Sequence, residues 1–250
     1  MSFEDKKVIV TGASSGIGRA TAIKFRKEGA EVLLVARSEE RLKDLAAELN
    51  TMYLAMDLTA NKAAELIIGE ATLLWGKIDV LVNAAGIIKS GTILDTTIED
   101  FDYMMNLNLR SIFHLMQTAI PFLKETKGNI VNVSSVTGVR AFPNILAYCV
   151  SKAALDHLTR CSALELAQFG VRVNAVNPGV VITNLHKASG MSAEEYAKFL
   201  VHSESTHPLG RAGTAEEIAE LILFLASNKA SWITGETVSI DGGRFLTCLR

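Results

Sequence analysis

Short apolar, β-branched runs alternate along this chain with longer segments of helical period, and no other feature restricts the fold as much. Lys7–Val10, Glu31–Ala36, Met52–Ala55, Ile78–Val82, Asn129–Val133, Arg172–Ala175 and Thr237–Ile240 read as strands. They are apolar on successive residues, as strands are when both faces of their sheet are covered. Between them Ile17–Glu28, Glu39–Leu49, Asn61–Trp75, Ile98–Lys124, Tyr148–Gln168 and Ala215–Ala226 carry a helical pattern. Gly29 and Gly170 stand where helix C-caps are wanted. Strand alternating with helix predicts an α/β fold: a doubly wound sheet of about seven parallel strands, helices on both faces, joined by right-handed crossovers.

The 250 residues, with 18 Gly and only 4 Pro, suit a single domain over 1–250 with many tight turns and few linkers. The net charge of −2, without a basic run, argues against nucleic acid or an anionic membrane as partner. No apolar stretch is long enough to span a bilayer, and MSFEDKKVIV passes from charges into a short apolar run without a signal-peptide core. A cytoplasmic location is expected. Cys149, Cys161 and Cys248 show no CxxC and no metal spacing and read as small buried hydrophobes. None of the five histidines, His114, His157, His186, His202 and His207, pairs at ligand spacing, so no metal is implied. Residues 183–213 interrupt the rhythm after the sixth strand. An insertion there, at the carboxyl end of a parallel strand, suits a substrate lid over 184–207. Ser192–His202 is expected to form its helix, opened by a Ser192/Glu195 capping box.

The first strand runs into Thr11-Gly12-Ala13-Ser14-Ser15-Gly16-Ile17-Gly18 and then a helix. Glycines allow a tight turn and close backbone approach, and a helix N-terminus offers free N–H groups and a positive dipole to a pyrophosphate. That is the signature of a Rossmann-type dinucleotide site, although the spacing differs from the commoner G-x-G-x-x-G. Together with Asn83-Ala84-Ala85-Gly86 after the fourth strand and Tyr148-x-x-x-Lys152, it resembles the short-chain dehydrogenase/reductase family. The resemblance spans nearly the whole chain, through Asp241-Gly242-Gly243. Within the family it is similar to bacterial β-ketoacyl-acyl-carrier-protein reductases and animal cytosolic carbonyl reductases.

The resemblance implies cofactor contacts from Gly12, Ser14, Ser15, Gly16, Ile17 and Gly18 in the turn, Ser38, Asp57 and Leu58 beside the adenosine, and Asn83, Ala84 and Gly86 after the fourth strand. It adds Tyr148, Lys152, Pro178, Gly179 and Thr183 near the nicotinamide. The second strand ends in Ala36-Arg37, not in the carboxylate that binds the ribose of NAD, so NADPH/NADP+ is expected ahead of NADH/NAD+. Arg37 is either a ligand of the 2′-phosphate or a solvated surface charge. Asp57 is either the family's adenine contact or a helix N-cap, and Thr183 either meets the carboxamide or caps the next helix.

Tyr148 and Lys152 stand one helical turn apart on one face. A nearby ammonium and an oxidised nicotinamide both favour the phenolate, so Tyr148 is expected to titrate toward neutrality and act as acid/base. The resemblance assigns Ser135 to the substrate oxygen, leaves Ser134 as a structural neighbour, and gives Asn108, in preference to Asn106, a water beside the lysine. Catalysis is therefore expected from Asn108, Ser135, Tyr148 and Lys152.

Val136–Ala147, Ile87–Gly91 and the 184–207 insertion are the expected pocket walls. Phe142, Ile145, Leu185, Met191 and Phe199 there suggest a small hydrophobic carbonyl or alcohol, although such residues equally suit a core or an interface. A carrier-protein substrate would want a basic patch. Lys89, Arg140, Lys187 and Arg211 are available for one, diluted by Glu194, Glu195 and Glu204. The expected activity is NADPH-dependent carbonyl reduction. Oxidation by an alcohol or hydroxysteroid dehydrogenase, 3-oxoacyl-thioester reduction and a catalytically idle nucleotide-binding regulator are the alternatives. Excess apolar faces on Ile98–Lys124 and Tyr148–Gln168, and the family's two-fold interfaces, imply a homotetramer, with a dimer as the alternative.

Overall fold

The computed structural model describes residues 2–185 and 190–247. His186, Lys187 and Cys248 lie outside the described residues, as does part of the 184–207 insertion. Seven strands, β1 (Lys7–Thr11), β2 (Glu31–Ala36), β3 (Met52–Ala55), β4 (Val80–Asn83), β5 (Asn129–Val133), β6 (Arg172–Pro178) and β7 (Thr237–Ile240), form one sheet in the order β3-β2-β1-β4-β5-β6-β7. Every pairing is parallel.

Successive residues of one strand face opposite sides, which explains the unbroken apolar runs. Val8, Val10, Val32 and Leu34 pack on one side against α1 (Gly16–Lys27), α2 (Glu39–Leu49) and α9 (Ala215–Ala226), through Phe25, Leu42 and Ile218. Ile9, Leu33 and Val35 pack on the other against α3 (Ala63–Trp75), α5 (Ser111–Thr126) and α7 (Leu146–Leu166), through Ile67, Leu115 and Leu155. Gly29 and Gly170 end their segments at φ +93° and +74°, left-handed positions that a side chain would strain.

Several boundaries differ from expectation. Ile98–Lys124 is not one continuous helix. It divides into α4 (Ile98–Met105), a π-helical turn (Asn106–Arg110) and α5, and the turn carries Asn108 inward. β6 runs on to Pro178 because its last residues pair with β7, Pro178 opposite Ile240. The insertion helix α8 (Ala193–Thr206) outruns the expected Ser192–His202 by four residues, while its capping box forms as expected. Ser192 N–H donates to Glu195 at 2.8 Å, and Glu195 N–H donates to Ser192 Oγ at 3.2 Å. Cys161 is exposed on α7, contrary to the reading of the cysteines as buried. Among the described residues no helix is long and apolar enough to cross a membrane.

Candidate active site

The strand order reverses between β1 and β4, and a cavity of about 860 Å3 lies outside the carboxyl ends of the strands at that point. The glycine turn forms one wall. A Cβ on Gly12 would lie 2.8 Å from the backbone of Ala84 and Ala85, and one on Gly18 only 2.4 Å from the Gly12 carbonyl. Thr11 Oγ1 accepts from the N–H groups of Ala84 and Ala85 at 3.1 and 3.3 Å, clasping the β4 loop to the turn. Gly12, Ser14, Ser15, Gly16, Ile17 and Gly18 all line the cavity, and no side chain caps the first turn of α1.

Arg37 and Ser38 leave β2 on the same wall, facing Asp57 and Leu58. Asp57 does not cap α3, whose N-cap is Lys62. Its carboxylate accepts from Thr59 N–H and Oγ1 at 2.9 and 2.8 Å. Burial works to raise the Asp57 pKa, but the Thr59 hydrogen bonds and the Arg37 charge outweigh it and hold the carboxyl below its ordinary value. Arg37 is exposed and donates to the Tyr103 hydroxyl at 3.3 Å.

Farther along, Ala84, Gly86, Ser135, Tyr148, Lys152, Pro178, Gly179 and Thr183 line the cavity. Asn83 and Asn108 do not line it. Asn83 is buried behind the strand end and donates to Asn132 Oδ1 at 2.8 Å. Asn108 is fully buried in the π-turn, and its amide is satisfied on all sides. Oδ1 accepts from Ile87 N–H at 2.9 Å, and Nδ2 donates to Ile87 O at 2.9 Å and Ser151 Oγ at 3.2 Å. It thereby pins the loop after β4 to α7.

Lys152 Nζ donates to Val133 O at 2.8 Å and stands 5.7 Å from the Tyr148 ring centre. Ser134 Oγ donates to Lys152 O at 3.2 Å and so belongs to the scaffold. The expected drift of Tyr148 toward neutrality is absent from the protein alone. Burial pushes the phenol up to about 12, opposed by the Ser135 hydroxyl. Burial also pushes Lys152 down to about 8, opposed by Asp156. Near pH 7 the tyrosine therefore keeps its proton.

A family profile described as enoyl-(acyl-carrier-protein) reductase matches residues 12–244. The chain is 39% identical, over 97% of its length and 99% of the relative's, to the 3-oxoacyl-[acyl-carrier-protein] reductase of Thermotoga maritima. It belongs to the short-chain dehydrogenase/reductase family. An NAD-dependent glycerol dehydrogenase of Listeria innocua is also 39% identical, over 97% of this chain and 94% of that protein. The crystal structure of a short-chain dehydrogenase/reductase of unknown function from Caenorhabditis elegans, with cofactor, superposes at a TM-score of 0.94, with 40% identity over 98% and 97% of the two chains. The enzyme is an oxidoreductase of CH–OH and C=O groups that uses NAD(P)(H).

This short-chain dehydrogenase/reductase has a site that fits such a dinucleotide. The glycine positions leave a cradle that a Cβ would fill, backed by an uncapped helix N-terminus that can hold the pyrophosphate. At the far end Phe142, Ile145, Leu185, Met191 and Phe199 all line the cavity, and Ile145 and Leu185 also pack against the small core cluster of Ile88, Met104, Ala147 and Tyr148.

Several contributors were not singled out from sequence. Arg41 lines the cavity beside Arg37, and its position in the first turn after β2 was the available signal. The Tyr196 hydroxyl accepts from Thr183 N–H at 3.2 Å and donates to Thr183 O at 2.9 Å, tying α8 to the β6 loop. Thr183 Oγ1 accepts from Leu185 N–H at 3.4 Å, so it shapes the next turn as well as lining the cavity. His207 is buried, its Nε2 accepting from Val180 N–H at 3.2 Å and its Nδ1 beside Ser203 O at 2.8 Å. Burial lowers its pKa, which suits a neutral structural imidazole. Arg244 reaches the cavity from beyond β7, with no sequence motif to announce it.

Proposed function

We propose that the enzyme is an NADPH-dependent carbonyl reductase acting on a small, largely apolar substrate, with Tyr148 as proton donor. The observation that carries this reading is one continuous cavity. It joins the glycine cradle and the Arg37/Arg41 pair at one end to Ser135, Tyr148 and Lys152 at the other. Bound NADPH supplies the hydride. Ser135 and Tyr148 hold the carbonyl oxygen, Tyr148 gives it a proton, and the Lys152 ammonium stabilises the phenolate left behind. Asn108 acts through the loop and helix that it joins.

Arg37 and Arg41 supply two guanidiniums at the 2′-phosphate position, and β2 ends on Ala36, which has no carboxylate to accept the NAD ribose. A small free substrate is favoured over a carrier-bound thioester because two of the described basic residues available for such a patch are paired with carboxylates. Lys89 pairs with Asp100, and Arg211 makes a two-pronged pair with Glu217 at 2.6 and 2.9 Å. Arg140 caps backbone carbonyls near the C-terminus.

Assembly as a homotetramer belongs to the same proposal. Phe113 on α5 and Val150, Cys161 and Leu164 on α7 leave apolar surface exposed, Leu164 at 82%. A screen of aldehydes and ketones with NADPH and NADH, followed by the absorbance of the reduced nicotinamide, tests the activity. Turnover of several apolar carbonyls with NADPH is the expected result. Failure with every carbonyl in both cofactors would overturn the reading.

A further inference from the structure

The substrate end of the cavity contains an ionic group that simple carbonyl reduction does not use. Arg244, in the short turn after β7, is 9% exposed and lines the same cavity as Tyr148. Its Nη1 donates to Thr206 O and to Thr247 Oγ1, both at 3.2 Å, and its guanidinium lies 5.2 Å from the Phe142 ring centre. Among the described residues its Nε and Nη2 have no hydrogen-bond partner, and no carboxylate lies within ion-pairing distance.

The neighbouring charges do not remedy this. Asp241 spends its two oxygens on the N–H groups of Gly243 and Phe245, at 3.0 and 2.8 Å. Arg140 adds a second guanidinium 5.7 Å from the same Phe142 ring, its Nη1 directed at the carbonyls of Arg244, Phe245 and Thr247. Among the described residues the only acidic side chain lining the cavity is Asp57, at the adenosine end. The unused donors of Arg244 are not sealed from solvent, so they are open to an anion that enters the cavity. The planar guanidinium fork matches a carboxylate, which takes two parallel N–H bonds.

We infer that Arg244 is a specificity residue that binds a carboxylate on the substrate, so that the enzyme prefers oxo acids, and in reverse hydroxy acids, with an apolar chain between the two groups. This rests on the carbonyl-reductase reading and extends it. Phe142, Ile145 and Phe199 receive the chain, Arg244 holds its charged end, and the ketone meets Tyr148. The redox balance is unchanged. The carbonyl carbon gains the hydride of NADPH, and the oxygen gains the Tyr148 proton, giving a hydroxy acid and NADP+.

The test uses straight-chain oxo acids with the ketone at increasing distance from the carboxylate, each beside its methyl ester, on the full-length enzyme with NADPH. At the best chain length the acid should exceed its ester about tenfold or more in kcat/KM, the size of one charge-assisted fork. Arg244→Met should erase that ratio mainly through KM, and Arg244→Lys should restore part of it. Binding of NADPH, read by its fluorescence, verifies that each variant is folded. Ester turnover equal to or above that of the acid in the unmodified enzyme, or a ratio that Arg244→Met leaves unchanged, overturns the inference while leaving the carbonyl-reductase reading intact. If neither acids, esters nor neutral ketones are reduced, that reading falls. Calorimetric titration of a hydroxy acid into the enzyme with NADP+ then decides Arg244 by itself: binding lost in Arg244→Met supports it, and binding absent or unaffected refutes it.

Discussion

Raising the pH through about 8 should switch off reduction without unfolding the protein. Burial places Lys152 at about 8 and Tyr148 at about 12, so between those values the phenol still has its proton while the neighbouring amine has lost its charge. The phenol can donate only if the phenolate it becomes is stabilised. With the ammonium 5.7 Å from the ring centre and an effective dielectric of about 20, Coulomb's law gives that stabilisation as about 3 kcal/mol. That is about two decades of rate. Reductive kcat/KM should therefore be level near neutrality, fall about tenfold per pH unit above about 8, and settle about 10²-fold lower near pH 10. Lys152→Met should already lie on that lower level at pH 7 and show no such limb.

Stability moves the other way over the same range. Lys152 binds its proton more weakly in the fold than its ordinary 10.5, so between about 8 and 10.5 the unfolded chain holds a proton that the folded one has released. Its contribution to stability thus rises with pH, and the lost activity cannot be charged to Lys152-linked unfolding. Only above about 10 does Tyr148 reverse this, because the fold then keeps a proton that the unfolded chain gives up. Initial rates at saturating NADPH in overlapping buffers, with the melting temperature measured beside them, separate the two effects. A flat profile from pH 7 to about 10, or a limb that survives Lys152→Met, would refute the reasoning.

Tyr148→Phe should lower turnover by at least about 10²-fold while NADPH still binds, and near-normal turnover would remove Tyr148 from its role. Ser135→Ala should cost a similar order and Ser134→Ala far less, since the Ser134 hydroxyl is spent on the Lys152 carbonyl; the reverse ranking would exchange the two serines. NADPH should exceed NADH in kcat/KM, with Ala36→Asp plus Arg37→Ile inverting the order, and equal use by the unmodified enzyme would contradict the phosphate role of Arg37. Light scattering should give the mass of four subunits, and Leu164→Glu on the exposed face of α7 should lower it; a single-subunit mass at full activity would sink the tetramer.

Much of this enzyme follows from local rules that act within one stretch of chain. Unbroken apolar runs such as Val8-Ile9-Val10 require cover on both faces of a sheet, which sets the parallel α/β layout before any contact is known. The glycines at 12, 16 and 18, the Tyr148–Lys152 spacing and the Ser192/Glu195 capping box are likewise determined by backbone geometry over a few residues. Other features depend on what the fold brings from elsewhere. Ile98–Lys124 has one helical period throughout, yet it is interrupted because Asn108 finds the backbone of Ile87, 21 residues away, and bonds it in place of a regular helical turn. The Tyr148 pKa moves up instead of down because burial, which no spacing reveals, outweighs the nearby hydroxyl. Arg244 belongs to no motif. It faces the cavity because the parallel pairing of β6 with β7 delivers the turn after β7 to the carboxyl edge of the sheet, beside Phe142 and Thr206. Charge, burial and partner at such positions are set by chain segments distant in sequence, so only the tertiary structure could decide them.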